Sequence, residues 1–87
     1  MNAQALAQMM NVTENDINSL LRMVTDSMLH DGMREHFLSM DEAERVETMN
    51  AYIQAEVKKF SEFCITLLTN QEKKSAFDQY LFSQLKD

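Results

Sequence analysis

The residues best suited to metal binding surround the single glycine of the chain. His30, Asp31, Glu35 and His36 have side chains of the types that bind zinc or iron. Their spacing matches neither the Glu-x-x-His pairs of di-iron bundles nor the His-Glu-x-x-His motif. We therefore expect no bound metal, with His30 stabilising the end of a helix and His36 facing solvent.

The remaining candidates for catalysis are also weak. Cys64 is the only cysteine, and it lies on an apolar stripe between Phe60 and Leu67, where a thiol stays protonated. A chain with one glycine has no Gly-x-Ser-x-Gly elbow and no glycine-rich phosphate loop. We expect a protein without catalytic activity and without a cofactor.

The net charge of −6 lies entirely in the first half of the chain. Residues 1–47 hold nine acids and three arginines, whereas residues 48–87 hold five acids and five lysines. This distribution repels phosphate backbones and anionic membranes and favours a protein partner with a basic surface. Solubility alone is an alternative reason for such a charge.

One segment resembles the helix-turn-helix signature of DNA-binding proteins. Ala7 takes the place of the small residue between the helices, and Asn11 stands where glycine usually makes the turn. The positions that the signature buries are Val12, Ile17 and Leu20. The resemblance implies an alternative function, a transcriptional regulator that binds DNA through residues 3–22.

The charges of this segment argue against DNA binding. Glu14 and Asp16 lie in the would-be recognition helix, and no basic residue precedes Arg22. DNA readers place Arg or Lys at these positions. We therefore expect no nucleic-acid partner.

Helical periodicity and capping residues predict an all-α fold. Helices are expected over 3–10, from the cap at Thr13 to about His30 before Gly32, over 33–38, and over 71–85. The sequence Ser39-Met-Asp-Glu42 matches the capping-box pattern and predicts the start of one long helix, about 40–69. The predicted architecture is a single domain, 1–87, in which four or five helices form an irregular antiparallel bundle on that long helix.

The length of that helix predicts a homodimer. A helix of this span is roughly 44 Å long, whereas a compact domain of this size has a radius of gyration near ~12 Å. A second copy would cover the large apolar side chains left over, at Phe63, Ile65 and Tyr52.

Other candidates for partner binding lie in the first half of the chain. All eight methionines lie within residues 1–49, and methionine serves both as core filler and on adaptable binding surfaces. The further candidates are Met9, Met10, Met23, Asp41 and Glu44. Taken together, the sequence predicts a small acidic interaction module, acting as a regulator, adaptor or inhibitor. The single cysteine and the lack of a signal peptide or membrane span favour a cytoplasmic protein.

Overall fold

The computed structural model describes the backbone of residues 2–56 and 61–86, and their side chains except those of 61–63. Within these ranges the chain forms six helices and no strand. The predicted all-α bundle is confirmed, although the number of helices is six and not four or five. No helix in the described ranges is long and apolar enough to cross a membrane.

The first two helices begin and end at capping residues. α1 (Ala3–Met10) starts at Asn2, whose side chain accepts the Ala5 N–H at 2.8 Å. It ends at Asn11, which takes the left-handed conformation at φ 59°. α2 (Glu14–His30) starts at Thr13, the predicted cap, and Thr13 and Asp16 form a reciprocal capping box.

Gly32 ends α2 as predicted. Its φ of +66° is accessible to glycine without strain, and the Met33 N–H reaches back to the Met28 carbonyl at 2.8 Å. The short helix α3 (Arg34–Ser39) follows and buries Phe37.

The predicted start of the next helix was wrong. Ser39 is the last residue of α3, and its hydroxyl donates to the His36 carbonyl at 2.7 Å. The cap is Asp41, which accepts the Glu44 N–H at 2.9 Å while the Glu44 carboxylate accepts the Asp41 N–H. Both Ser39-x-x-Glu42 and Asp41-x-x-Glu44 fit the capping pattern, and the first is not used because Ser39 already belongs to α3.

The predicted long helix, 40–69, was also wrong. The structure has α4 (Glu42–Ala55) and a separate α5 (Ser61–Leu68). A straight helix over the whole span would exceed the longest extent of the molecule, 31 Å. With two shorter helices, Ile53 of α4 and Cys64 of α5 both reach the same core. Val57 and Phe60, which were predicted on the stripe, lie outside the described residues.

The bundle is organised on its last helix, not on the predicted long one. α6 (Gln71–Lys86) contacts each of the other five helices. Its buried residues are Ala76, Phe77, Asp78, Tyr80, Leu81 and Leu85. The radius of gyration is 11.7 Å, as expected for a compact domain of this length.

An ion pair that the sequence analysis did not predict joins α4 to α6. Asp78 is fully buried, and it accepts hydrogen bonds from Arg45 Nε and Nη2 at 3.2–3.3 Å. The Arg45 guanidinium lies over the Phe82 ring, 4.2 Å from its centroid, and also donates to the Met40 carbonyl. Burial raises the pKa of the Asp78 carboxyl above its usual range, and Arg45 opposes that shift.

Candidate interaction surfaces

Helix α2 separates the core from two surface grooves. Its core face consists of Ile17, Leu20, Val24 and Met28, which are all fully buried. At ~100° per residue, the remaining positions divide into two faces on either side of this one. One face borders α4, and the other borders α3 and the end of α6.

The groove between α2 and α4 carries negative charge, and we call it the acid groove. Its volume is about 410 Å³, and its lining residues are Asp26, Ser27, His30, Asp31, Tyr52 and Ala55. Asp26, His30 and Asp31 are exposed, so two carboxylates and one imidazole face solvent at the groove. These residues come together because α2 ends beside the last turns of α4.

A hydrogen bond across the acid groove joins α4 to the residue that follows α2. The Tyr52 hydroxyl donates to Asp31 Oδ2 at 2.7 Å. Burial, and then the Asp31 carboxylate, raise the pKa of Tyr52 to about 12, so the hydroxyl keeps its proton at neutral pH. Tyr52 thereby orients Asp31 and leaves its second carboxylate oxygen to other donors.

The acid groove has the chemistry to receive a cation on a protein surface. Carboxylates form charge-assisted hydrogen bonds with Lys and Arg, and a tyrosine ring attracts the same cations through its π face. Metal coordination has less support, because the described part of the chain contains no group of three or more His, Cys, Asp or Glu side chains that could hold a metal ion.

The candidate methionines are placed differently from one another. Met10 is buried at 4% exposure and belongs to the core, so it is not available to a partner. Met9 is half-buried and packs against the same core. Met23 is half-buried outside the core cluster, one helical turn before Asp26 and Ser27 of the acid groove.

The acidic candidates at the start of α4 already have a structural role. Asp41 and Glu44 are exposed, and each accepts a backbone N–H of the other in the capping box. This exchange stabilises the positive end of α4. Each therefore has one carboxylate oxygen engaged within the helix end.

The apolar candidates of the predicted dimer interface are only partly described. Ile65 of α5 is 54% exposed, a high value for a large hydrophobic side chain. The side chain of Phe63 lies outside the described residues. Tyr52, the third of these candidates, lines the acid groove instead.

Cys64 is buried, as predicted. Its side chain is fully enclosed in the core. Burial, together with the negative charge of Glu56, raises the pKa of its thiol to about 11.

The segment that resembles a helix-turn-helix has the expected local geometry. Asn11 makes the turn in the left-handed conformation, Ala7, Ile17 and Leu20 are buried, and Val12 is half-buried. However, α2 packs against α1, α4 and α6, and its first turn carries Glu14 and Asp16. A helix that reads the major groove meets the DNA backbone with its first turn, where these two carboxylates would repel the phosphates.

Asp26 is not among the candidates predicted from the sequence. The signal that could have found it is the helical wheel of α2, on which Asp26 and His30, four residues apart, fall outside the predicted core face. The contribution of Tyr52 from α4 depends on tertiary packing. No family model, curated protein or solved structure matches the chain.

Proposed function

We propose that this protein is a non-catalytic interaction module that binds a basic segment of another protein in the acid groove. The observation that carries the proposal is the groove itself, which Asp26 and Asp31 line together with a tyrosine whose hydroxyl holds Asp31 in place. A partner's Lys or Arg side chain can pair with these carboxylates, and its aliphatic part can pack on Tyr52 and Ala55. A regulator, adaptor or inhibitor of the cytoplasm would use such a surface.

The experiment that tests this proposal uses an amphipathic helical peptide of Leu and Lys, about four turns long. Binding is followed by amide chemical shifts in about 100 mM salt, where the Debye length is about 10 Å. We expect the largest shifts at residues 23–31 and 51–55. The double variant Asp26→Asn, Asp31→Asn should weaken binding at least about five-fold, equivalent to about 1 kcal/mol.

A matched control separates the groove from net charge. Glu47 and Glu72 are exposed acids outside both grooves, and their replacement by Gln changes the net charge equally. This control should change the affinity less than about two-fold. Equal losses in the two double variants would mean that net charge, not the groove, attracts the peptide.

DNA binding through residues 3–22 is the alternative function, and the left-handed turn at Asn11 is the observation that favours it. A DNA-binding protein shows affinity for random duplex that falls steeply with added salt. We expect no binding of random duplex by micromolar protein in ~50 mM salt. A salt-sensitive gel shift would support the alternative.

Self-association is a further part of the proposal. The unbroken long helix no longer argues for it, and its support is the exposed side chain of Ile65 on α5. Burying the exposed part of Ile65 against a second copy would gain roughly 0.8–1.6 kcal/mol, about half of the value for a fully exposed side chain.

A further inference from the structure

A second groove lies on the other side of α2, and we call it the arginine groove. It has a volume of about 600 Å³ and is formed by α2, the start of α3 and the end of α6. Its lining residues are Asn15, Asn18, Leu21, Arg22, Thr25, Leu29, Arg34, Gln84 and Leu85. At ~100° per residue, the six lining residues of α2 lie within about 120° of one another. Asp26, four residues after Arg22, lies at the border of this face and lowers the positive potential at Arg22.

The charge of this groove is opposite to that of the molecule. Among the described residues that line it, Arg22 and Arg34 are the charged ones, although the chain carries −6 overall. Of the chain's three arginines, only Arg45 is elsewhere, in its pair with Asp78. Two of the three arginines in the acidic first half of the chain therefore border the arginine groove.

Arg34 is held in position by the fold. Its Nη2 donates to the Leu85 carbonyl at 2.6 Å, and its Nη1 donates to the neighbouring Glu35. A guanidinium has five N–H donors, so three remain for another acceptor. Its side chain is 36% exposed, and a ligand in the groove can reach it. The Glu35 carboxylate reduces the positive potential at Arg34, and Arg22 is the more accessible charge.

Leucines supply the apolar part of the groove. Leu85 is buried and Leu21 half-buried, whereas Leu29 is 54% exposed. Arg22 and Leu29 are seven residues apart on α2, which places them about 10 Å apart along one face of the helix. This spacing matches an amphipathic helix that presents an acidic and an apolar side chain two turns apart.

We propose that the arginine groove binds an acidic amphipathic segment of a partner protein, with carboxylates on Arg22 and Arg34 and an apolar side chain against Leu29. The choice of an acidic occupant follows from charge complementarity. This site shares no lining residue with the acid groove, so it does not rest on the function proposed above. Only the consequence that the protein joins a basic partner to an acidic one, as an adaptor, also rests on the function proposed above.

The test measures the affinity of a fluorescent helical peptide of Leu and Glu, about four turns long, by anisotropy in about 100 mM salt. Arg22→Gln and Leu29→Gln both change exposed side chains and should not affect folding. Arg22→Gln should weaken binding about three- to five-fold, and Leu29→Gln at least about five-fold because it removes an apolar contact. Lys73→Gln, at the opposite end of α6, removes the same charge and should change the affinity less than about two-fold.

Three outcomes would overturn the proposal. The first is an affinity unchanged by both groove variants, and the second is no binding at millimolar protein. The third is self-association of the wild type that Arg22→Gln abolishes, because the occupant would then be a second copy. The Asp26→Asn, Asp31→Asn variant should keep its affinity for the acidic peptide, so failure of the acid groove is distinguishable from failure of this site.

Discussion

At the scale of single residues, Cys64 tests the packing of α5 against the core. Its thiol is enclosed and its pKa is raised to about 11, so both access and thiolate fraction are low at neutral pH. We expect native protein to react with an aromatic disulfide reagent at least about 100-fold more slowly than protein in denaturant. Equal rates in the two conditions would show that α5 is not packed as described.

Tyr52 gives a pH-dependent test of the acid groove. In a Tyr80→Phe background, Tyr52 is the only tyrosine, and its phenolate absorbance should appear only as the pH approaches 12. Asp31→Asn should lower this midpoint, because it removes the accepting carboxylate. A midpoint near 10 in the folded protein, unchanged by Asp31→Asn, would contradict the hydrogen bond.

Tyr52 also makes the folded protein less stable as the pH becomes alkaline. The folded state raises the pKa of Tyr52 from 10.0 to about 12, so folded protein retains a proton that unfolded protein loses. Its contribution to stability is complete below pH 10 and is lost as the pH rises towards 12. Tyr52→Phe should remove this part of the alkaline loss in urea unfolding.

Residue burial was predictable where a periodic pattern determines it. Val46, Met49 and Ile53 recur at helical spacing and are buried in α4, and Leu67 is buried in α5. Asp78 was not predictable as a core residue, because its partner lies 33 positions away on another helix. A charged side chain enters a core only with such a partner, and a single sequence does not reveal that pairing.

At the scale of helices, the ion pair of Arg45 and Asp78 should hold α4 against α6. Arg45→Met leaves a buried carboxylate without its cation and should lower the free energy of unfolding by about 3–5 kcal/mol. Adding Asp78→Leu should restore much of that loss, because the unpaired charge is removed. Urea unfolding of the two single variants and the double variant measures the coupling. A loss below about 1 kcal/mol for Arg45→Met would contradict this account.

Helix ends were predictable where only one capping interpretation exists, and less so elsewhere. Thr13 and Gly32 were identified because each stands alone at its boundary. The start of α4 offers two overlapping capping patterns, and only the extent of α3 decides between them. The end of α4 was missed because heptad-like spacing continues from α4 into α5 although Ala55 ends the helix.

At the scale of the whole molecule, Ile65 tests the proposed homodimer. If two copies meet at α5, Ile65→Glu should give a folded monomer, because a buried charge opposes association. Thr66→Glu adds the same charge at the neighbouring exposed position and should weaken association less. Sedimentation equilibrium at tens of micromolar measures both. A wild-type species of 10.1 kDa would contradict self-association.

The two grooves give the molecule an uneven surface charge that composition alone does not reveal. The pI of about 4.7 predicts basic partners for the whole surface. Net charge does not predict the arginine groove, because this groove forms only where α3 and α6 pack beside α2. The two proposed sites therefore predict two classes of partner, whereas net charge predicts one.

The central claim is that the acid groove selects a basic protein, and comparative affinity capture tests it most directly. Nuclease-treated lysate is passed over the wild type, the Asp26→Asn, Asp31→Asn variant and the Glu47→Gln, Glu72→Gln control, and bound proteins are identified by mass spectrometry. We expect proteins with basic surfaces that the wild type and the control both retain and that the groove variant loses. Equal capture by all three proteins would contradict the claim. Basic proteins that are captured only from lysate without nuclease treatment would also contradict it.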